Sequence, residues 1–305
     1  MFWEFILNLG LLWSLVTVPV ISSYAAINIA NDGVDYHQYL STEQYLPTKV
    51  INDSLGVKLS AETALAFDWE TKAILWQQNN ERQRPIASLT KLMTVLVWLD
   101  NNPGWQTPVT ISKDDYREGG TFYLFTGEVV TAQDLFYSTL IASDNNATIA
   151  LVRSSGLSES DFVIKMNAKA KELRMFQTYF IEPTGLDNRN VSTANDLLRL
   201  ITIAFENDKI KDAISRKDYS YNIRNTGRRN YFVSTDALLG SYLEVLGGKT
   251  GYSDEAGGCL AIEVQGPEQQ KVGVIILGSA DHYTRFDDAK AVSQWVFDNF
   301  IWNND

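Results

Sequence analysis

Residues 85–100 read PIASLTKLMTVLVWLD, an apolar run interrupted by one cation. Leu89, Leu92, Met93, Leu96 and Leu99 recur at helical spacing, so the run is a helix with a core-facing stripe. Ser88 precedes it, and Pro85 lies just upstream, both of which suit a helix start. Lys91 falls one turn after Ser88, on the same face. Two readings of that lysine stand side by side. It is either a solvated cation behind a serine cap, or a buried base aimed at the serine hydroxyl. Serine needs such a base to act as a nucleophile. A desolvated ammonium loses its proton more readily, so burial would make Lys91 a proton acceptor.

Outward from this helix the pattern has strands at both ends and helices between. Thr63–Gln78 holds two apolar runs around a D-W-E-T-K break, and residues 257–264 and 270–279 flank a polar turn, so both read as hairpins. Residues 131–143, 158–175, 192–207 and 284–301 carry helical periods, and Thr131 with Asp134 forms a capping-box pair at the first of them. The expected fold is α/β in the α+β sense: an antiparallel sheet from both chain ends, covered by helices, with a mostly helical subdomain.

The chain has 305 residues and a net charge of −11, which speaks against a nucleic-acid partner. A single cysteine, Cys259, permits no intrachain disulfide. The two histidines, His37 and His282, have no ligand-spaced neighbours, so no metal site is expected, and a serine–histidine triad would have to use one of these two. Residues 5–26 are uncharged and long enough to cross a bilayer, and Ser23-Tyr24-Ala25 offers a small-x-small cleavage pattern. Residues 1–25 are therefore a signal peptide or an N-terminal membrane anchor, 26–56 a linker, and 57–305 the catalytic domain. Either reading of the N-terminus places the domain outside the cytoplasm, secreted or membrane-anchored.

Two further motifs follow Ser88-Leu-Thr-Lys91. Ser143-Asp144-Asn145 closes an apolar helix, where a cap or loop is the plain alternative. Lys249-Thr250-Gly251 opens a glycine-rich strand; a lysine and a hydroxyl there can hold a carboxylate while the glycine permits close backbone approach. Each is weak by itself. In the order S-x-x-K, S-x-N, K-T-G, they match the set of serine β-lactamases and penicillin-binding proteins.

The chain resembles the D-alanyl-D-alanine carboxypeptidases, low-molecular-mass penicillin-binding proteins of peptidase family S11. The segments that carry the likeness include residues 64–94, 140–151, 166–200 and 247–263, ending with Arg285-Phe286. The resemblance implies a β-lactamase/transpeptidase-like fold and an acyl-enzyme on Ser88, with Lys91 as base and Ser143 relaying a proton to the leaving amine. It further implies that Asn145 holds the substrate amide and that Lys249 and Thr250 bind the terminal carboxylate. The backbone N–H groups of Ser88 and of Tyr252, next after Gly251, would form the oxyanion hole. Arg285 either assists carboxylate recognition or makes a surface salt bridge.

Implied partners are the peptidoglycan stem peptide, and β-lactams as covalent inhibitors; no cofactor is implied. Membrane attachment, if present, would run through the N-terminal segment. The implied reaction is removal of the terminal D-alanine from stem pentapeptides. The same motifs serve a D,D-endopeptidase that cuts crosslinks, and a non-catalytic wall-binding scaffold is a third reading. A class A β-lactamase is disfavoured, because IEPTGLDNRN does not reproduce that class's Glu-x-x-Leu-Asn segment. Two departures from the family pattern stand out: its usual Thr-Asn before the K-T-G strand reads Thr235-Asp236, and its acidic residue after S-x-N reads Asn146.

Overall fold

In the computed structural model, residues 46–54 and 56–302 are described. The expectations for residues 1–25 lie outside them. Among the described residues no helix is long and apolar enough to cross a membrane.

Five strands make one sheet: β1 (Thr63–Asp68), β2 (Ile74–Gln78), β3 (Glu244–Ser253), β4 (Gly257–Gln265) and β5 (Lys271–Ser279), in the order β3-β4-β5-β1-β2. Every pair is antiparallel. The sheet is thus built from both chain ends, as the hairpin signals predict. The helices are α1 (Thr90–Asp100), α2 (Ala132–Ile141), α3 (Asn145–Ser154), α4 (Glu159–Glu172), α5 (Ala194–Glu206), α6 (Asp208–Ile214) and α7 (Thr284–Asn299).

The central strands read as unbroken apolar runs because both faces are covered. Side chains alternate between two cores. Leu65, Phe67, Ala261, Ile275 and Leu277 face the helical bundle around α1. Ala64, Ala66, Ile262, Val274 and Ile276 face the other way, where Phe286, Ala289, Val292 and Val296 of α7 cover them. A leucine or isoleucine fully buried in such a layer stabilises the fold by about 2 kcal/mol.

The helix that opened the sequence reading differs from its expected stripe. All residues from Thr90 to Trp98 are buried, Lys91 and Thr94 included. α1 is the central post of the bundle, and a helix enclosed on all sides is apolar all round. Ser88 does not cap it: a 3₁₀ turn, Ala87–Leu89, precedes the helix, with no side-chain cap. α2 does begin with the capping box of Thr131 and Asp134.

The elements without a counterpart in the sequence pattern include α3, α6, a hairpin pairing Asp218–Asn222 with Arg229–Val233, and the short pairs of Pro108–Thr110 with Val129–Thr131 and of Arg84–Pro85 with Val191–Ser192. The chain is also tied down before residue 57. Thr48–Lys49 pairs with Phe300–Ile301, and Asn52 donates to Asn299 at 2.8 Å. The contacts of the folded unit therefore begin inside the stretch expected to be linker.

Candidate active site

The bundle and the sheet meet at the start of α1, and the three motifs meet there too. The 3₁₀ turn holds Ser88 half-buried, and Lys91, one turn on, points back at it. Lys91 Nζ lies 2.9 Å from Ser88 Oγ, 2.7 Å from Asn145 Oδ1 and 2.6 Å from the Thr184 carbonyl oxygen. Two of these partners only accept. A neutral amine therefore gives its two hydrogens to Asn145 and Thr184 and turns its lone pair to the Ser88 hydroxyl. Burial pushes Lys91 down to about 8, while Glu182 and Asp144 partly hold it up. The solvated-cation reading of Lys91 does not survive, since its side chain is fully enclosed.

Ser143 sits in the tight turn between α2 and α3 at φ +56°, a left-handed conformation costly for serine. The turn is fixed from behind. Asp144 caps α3 by accepting the Asn146 and Ala147 N–H groups at 2.8 and 3.0 Å. The Asp144 Oδ2 has no partner among the described residues, and burial pushes this acid up to about 6. S-x-N is thus both a helix junction and a presenter of two side chains. Asn145 Nδ2 donates to the Gly119 carbonyl at 2.9 Å, so both ends of this amide are already engaged.

β3 forms the opposite wall. Lys249 is buried, and its Nζ donates to Ser143 Oγ at 2.8 Å and to the Thr250 carbonyl at 2.9 Å. Burial first, then the charges of Lys91 and Arg285, hold Lys249 well below the usual ammonium range. The Thr250 hydroxyl meets that of Thr235 at 2.6 Å. Gly251 is required by contact: a Cβ there would come within 2.9 Å of the Ser88 amide nitrogen. The Ser88 amide therefore lies beside the Gly251–Tyr252 peptide.

Arg285 is 6% exposed and donates Nη1 to the Gly251 carbonyl at 2.7 Å. This corrects the surface salt-bridge alternative: the guanidinium is buried behind the strand and lines the groove. Tyr252 stacks on His282 at the rim, with ring centroids 3.5 Å apart. His282 is thus remote in role from Ser88, whose base-like neighbour is Lys91; His37 lies outside the described residues. Ser88, Ser143, Asn145, Thr250, Gly251, Tyr252 and Arg285 all line one open groove of about 540 Å³. Lys91 and Lys249 lie beneath its floor. Among the described residues no group of three or more histidine, cysteine, aspartate or glutamate side chains is placed to hold a metal.

The third support of Lys91 has no signature in the sequence. Glu182 folds the segment 182–187 around its carboxylate, accepting from the Thr184 N–H and hydroxyl at 2.6 Å each and from the Asn190 side chain at 2.8 Å. That turn aims the Thr184 carbonyl at Lys91, and Thr94 of α1 ties it down through the Pro183 carbonyl at 2.6 Å. Pro183-Thr184-Gly185 is a turn signal in the sequence. Nothing in the sequence says that the turn lands on Lys91.

Comparison with known proteins gives a consistent picture. A family model described as D-alanyl-D-alanine carboxypeptidase, Peptidase_S11, matches residues 49–280. A D-alanyl-D-alanine endopeptidase of Pseudomonas aeruginosa is 31% identical over 245 residues, covering 79% of each chain. The D-alanyl-D-alanine carboxypeptidase DacF of Bacillus subtilis is 32% identical over 223 residues, covering 70% of this chain and 57% of that one. Among solved structures, penicillin-binding protein D2 of Listeria monocytogenes, in its cefotaxime-bound form, superposes with a TM-score of 0.68 at 30% identity, over 80% of this chain and all of that one.

Proposed function

The chain belongs to the D-alanyl-D-alanine carboxypeptidase family, peptidase S11, and from that premise we propose that it removes the terminal D-alanine of peptidoglycan stem pentapeptides through an acyl-enzyme on Ser88. It is a serine-type D-Ala-D-Ala carboxypeptidase that acts on peptidoglycan, binds β-lactams and works outside the cytoplasm. The observation that carries the assignment of roles is the hydrogen-bond set of Lys91, whose third position faces the Ser88 hydroxyl.

In this reading the substrate's terminal carboxylate sits at Thr250 and Lys249, with Arg285 adding positive potential from behind Gly251. Lys91 takes the Ser88 proton as Oγ attacks the penultimate carbonyl. The Ser88 and Tyr252 N–H groups receive the developing oxyanion. Ser143, hydrogen-bonded to Lys249, passes a proton to the departing D-alanine amine. Asn145 holds Lys91 with its oxygen, and binds the substrate amide by exchanging the Gly119 carbonyl for it. Water then attacks the ester, with Lys91 again the adjacent base. β-Lactams enter by the same first step.

A second reading is a D,D-endopeptidase, favoured by the likeness to a relative that carries that name. Residues 1–25 serve as signal peptide or anchor in either case. Incubation with a pentapeptide muropeptide and with a crosslinked dimer separates the two. Release of D-alanine from the first with the second intact supports the carboxypeptidase; cleavage of the dimer alone overturns it.

A further inference from the structure

Behind the carboxylate-binding end of the groove stands a buried acid that the steps above do not use. Asp236 follows Thr235, whose hydroxyl meets that of Thr250, and it is 4% exposed. Its Oδ1 accepts the Leu238 N–H at 2.9 Å, whereas Oδ2 is buried with no hydrogen-bond partner among the described residues. An orphaned buried carboxylate oxygen is costly, and its retention calls for a reason. β3 is laid directly against it: any Cβ on Gly248 would collide with Oδ2, and Lys249 and Thr250 follow in the same strand.

The charged groups that face this carboxylate are Arg285 from α7 and Lys249 from β3. From β4 the neighbour at the same contact is the Ile262 methyl, and the end of α2 contributes the Ile141 carbonyl, which accepts from Thr235 N–H. Burial pushes Asp236 up to about 6, with Arg285 and Lys249 pulling the other way. The acid therefore changes charge within the ordinary working range of pH. The resembled family's usual residue here, asparagine, has the same shape and no charge.

We propose that Asp236 is a positioning residue that sets the charge of the carboxylate-binding end of the groove. Ionised, it competes with the substrate's terminal carboxylate for the Arg285 cation and the Lys249 amine; protonated, it leaves both to the substrate. A unit anion close behind Arg285 cancels part of the positive field that the guanidinium projects into the groove. Substrate affinity is then highest on the mildly acid side and falls as Asp236 ionises. The proposal rests on the reading of the groove as a D,D-peptidase site.

The test compares a pentapeptide ending in D-Ala-D-Ala with the same peptide ending in a carboxamide, from pH 5 to 7.5, in the wild type and in Asp236→Asn. The readouts are KM for the first and the inhibition constant for the second. The peptide carboxylate stays ionised throughout this range, so it does not contribute to the pH dependence. The wild-type KM is expected to rise about 3- to 10-fold, the scale of one charge acting through a few ångströms of protein. The carboxamide should show no such rise, a comparison that needs no variant. Asp236→Asn should keep the low KM across the whole range. Penicillin titration counts competent sites in each preparation, so loss of fold in the variant is recognised. Asp144, pushed up to about 6, and His282, whose value burial and Arg285 lower, are the other titrating groups near the groove, and a rise that persists in Asp236→Asn would belong to them and overturn the proposal. An equal rise for the carboxamide would overturn it too. A wild type that neither releases D-alanine nor binds penicillin would remove the underlying reading as well; an active wild type with an unchanged variant curve removes this proposal alone.

Discussion

Gly185 lies against the carbonyl of Ala87, so closely that a Cβ on Gly185 would overlap the Ala87 oxygen, and both residues have positive φ, +86° and +45°. The contact locks the turn that holds Lys91 onto the turn that presents Ser88. Gly185→Ala should therefore separate the two. A substitution at a positive-φ, closely packed site costs about 1–3 kcal/mol, and a displacement of about 1 Å at the nucleophile costs on the order of 100-fold in rate. The check is the rate of penicillin acylation together with Tm. A variant acylated at the wild-type rate would show that the contact does not position Ser88.

The acylation rate should rise with pH and level off above about 8, where Lys91 becomes neutral. Asp144 holds the Lys91 value up, so removing its charge should move that limb to lower pH. Asp144→Asn keeps a side-chain oxygen for capping α3, and a shift of a few tenths to about one unit is expected. An unmoved limb would mean that Lys91 is not the group being titrated.

Lys91 also leaves a signature in stability. Its folded-state value lies below the unfolded one, so at pH 8 and lower the fold bears the full cost of charging or deprotonating a buried lysine. That cost disappears as pH rises from about 8 to about 10.5. The unfolded chain binds more protons across this window, so stability rises with pH there. Relative to Lys91→Met, the wild type should gain on the order of 3 kcal/mol between these limits. Denaturant titrations at both ends check it, and a difference independent of pH would place the lysine charge in solvent.

At the rim, His282 stacks on Tyr252 while the hydrogen bonds of Lys91 go to Ser88, Asn145 and Thr184, so the histidine takes no part in proton transfer. His282→Gln should leave the maximal acylation rate within about threefold, while Ser143→Ala, which takes the hydroxyl from Lys249, should reduce turnover about 100-fold or more. Steady-state kinetics on a D-Ala-D-Ala peptide distinguishes them. Equal losses in both variants would return the histidine to the mechanism.

What the sequence disclosed and what it concealed follow from how local each feature is. Ser88 and Lys91 share one helical turn, and β3 carries Lys249, Thr250 and Gly251 as neighbours, so their chemistry is legible at short range. The sheet's assembly from both chain ends was legible because the hairpins announce themselves by polar turns between apolar runs. α3 was not, because it opens with Asn145 and Asn146, which read as loop; the Asp144 cap that rescues it is also part of the S-x-N motif. The stripe read on α1 was too narrow, since periodicity reports where apolar residues fall and not that a lysine and two threonines are buried among them. Glu182, Thr184 and Gly185 reach Lys91 only through tertiary packing. The orphaned oxygen of Asp236 becomes visible only when Gly248 is seen against it.

The central claim is that Ser88 is acylated with Lys91 as its base. The most direct test is time-resolved intact-mass measurement, with peptide mapping, after mixing with a penicillin at pH 8. The account predicts one adduct on Ser88 in the wild type, none in Ser88→Ala, and at least about 1,000-fold slower formation in a folded Lys91→Met. An adduct elsewhere, or wild-type acylation of Ser88 in Lys91→Met, would contradict it.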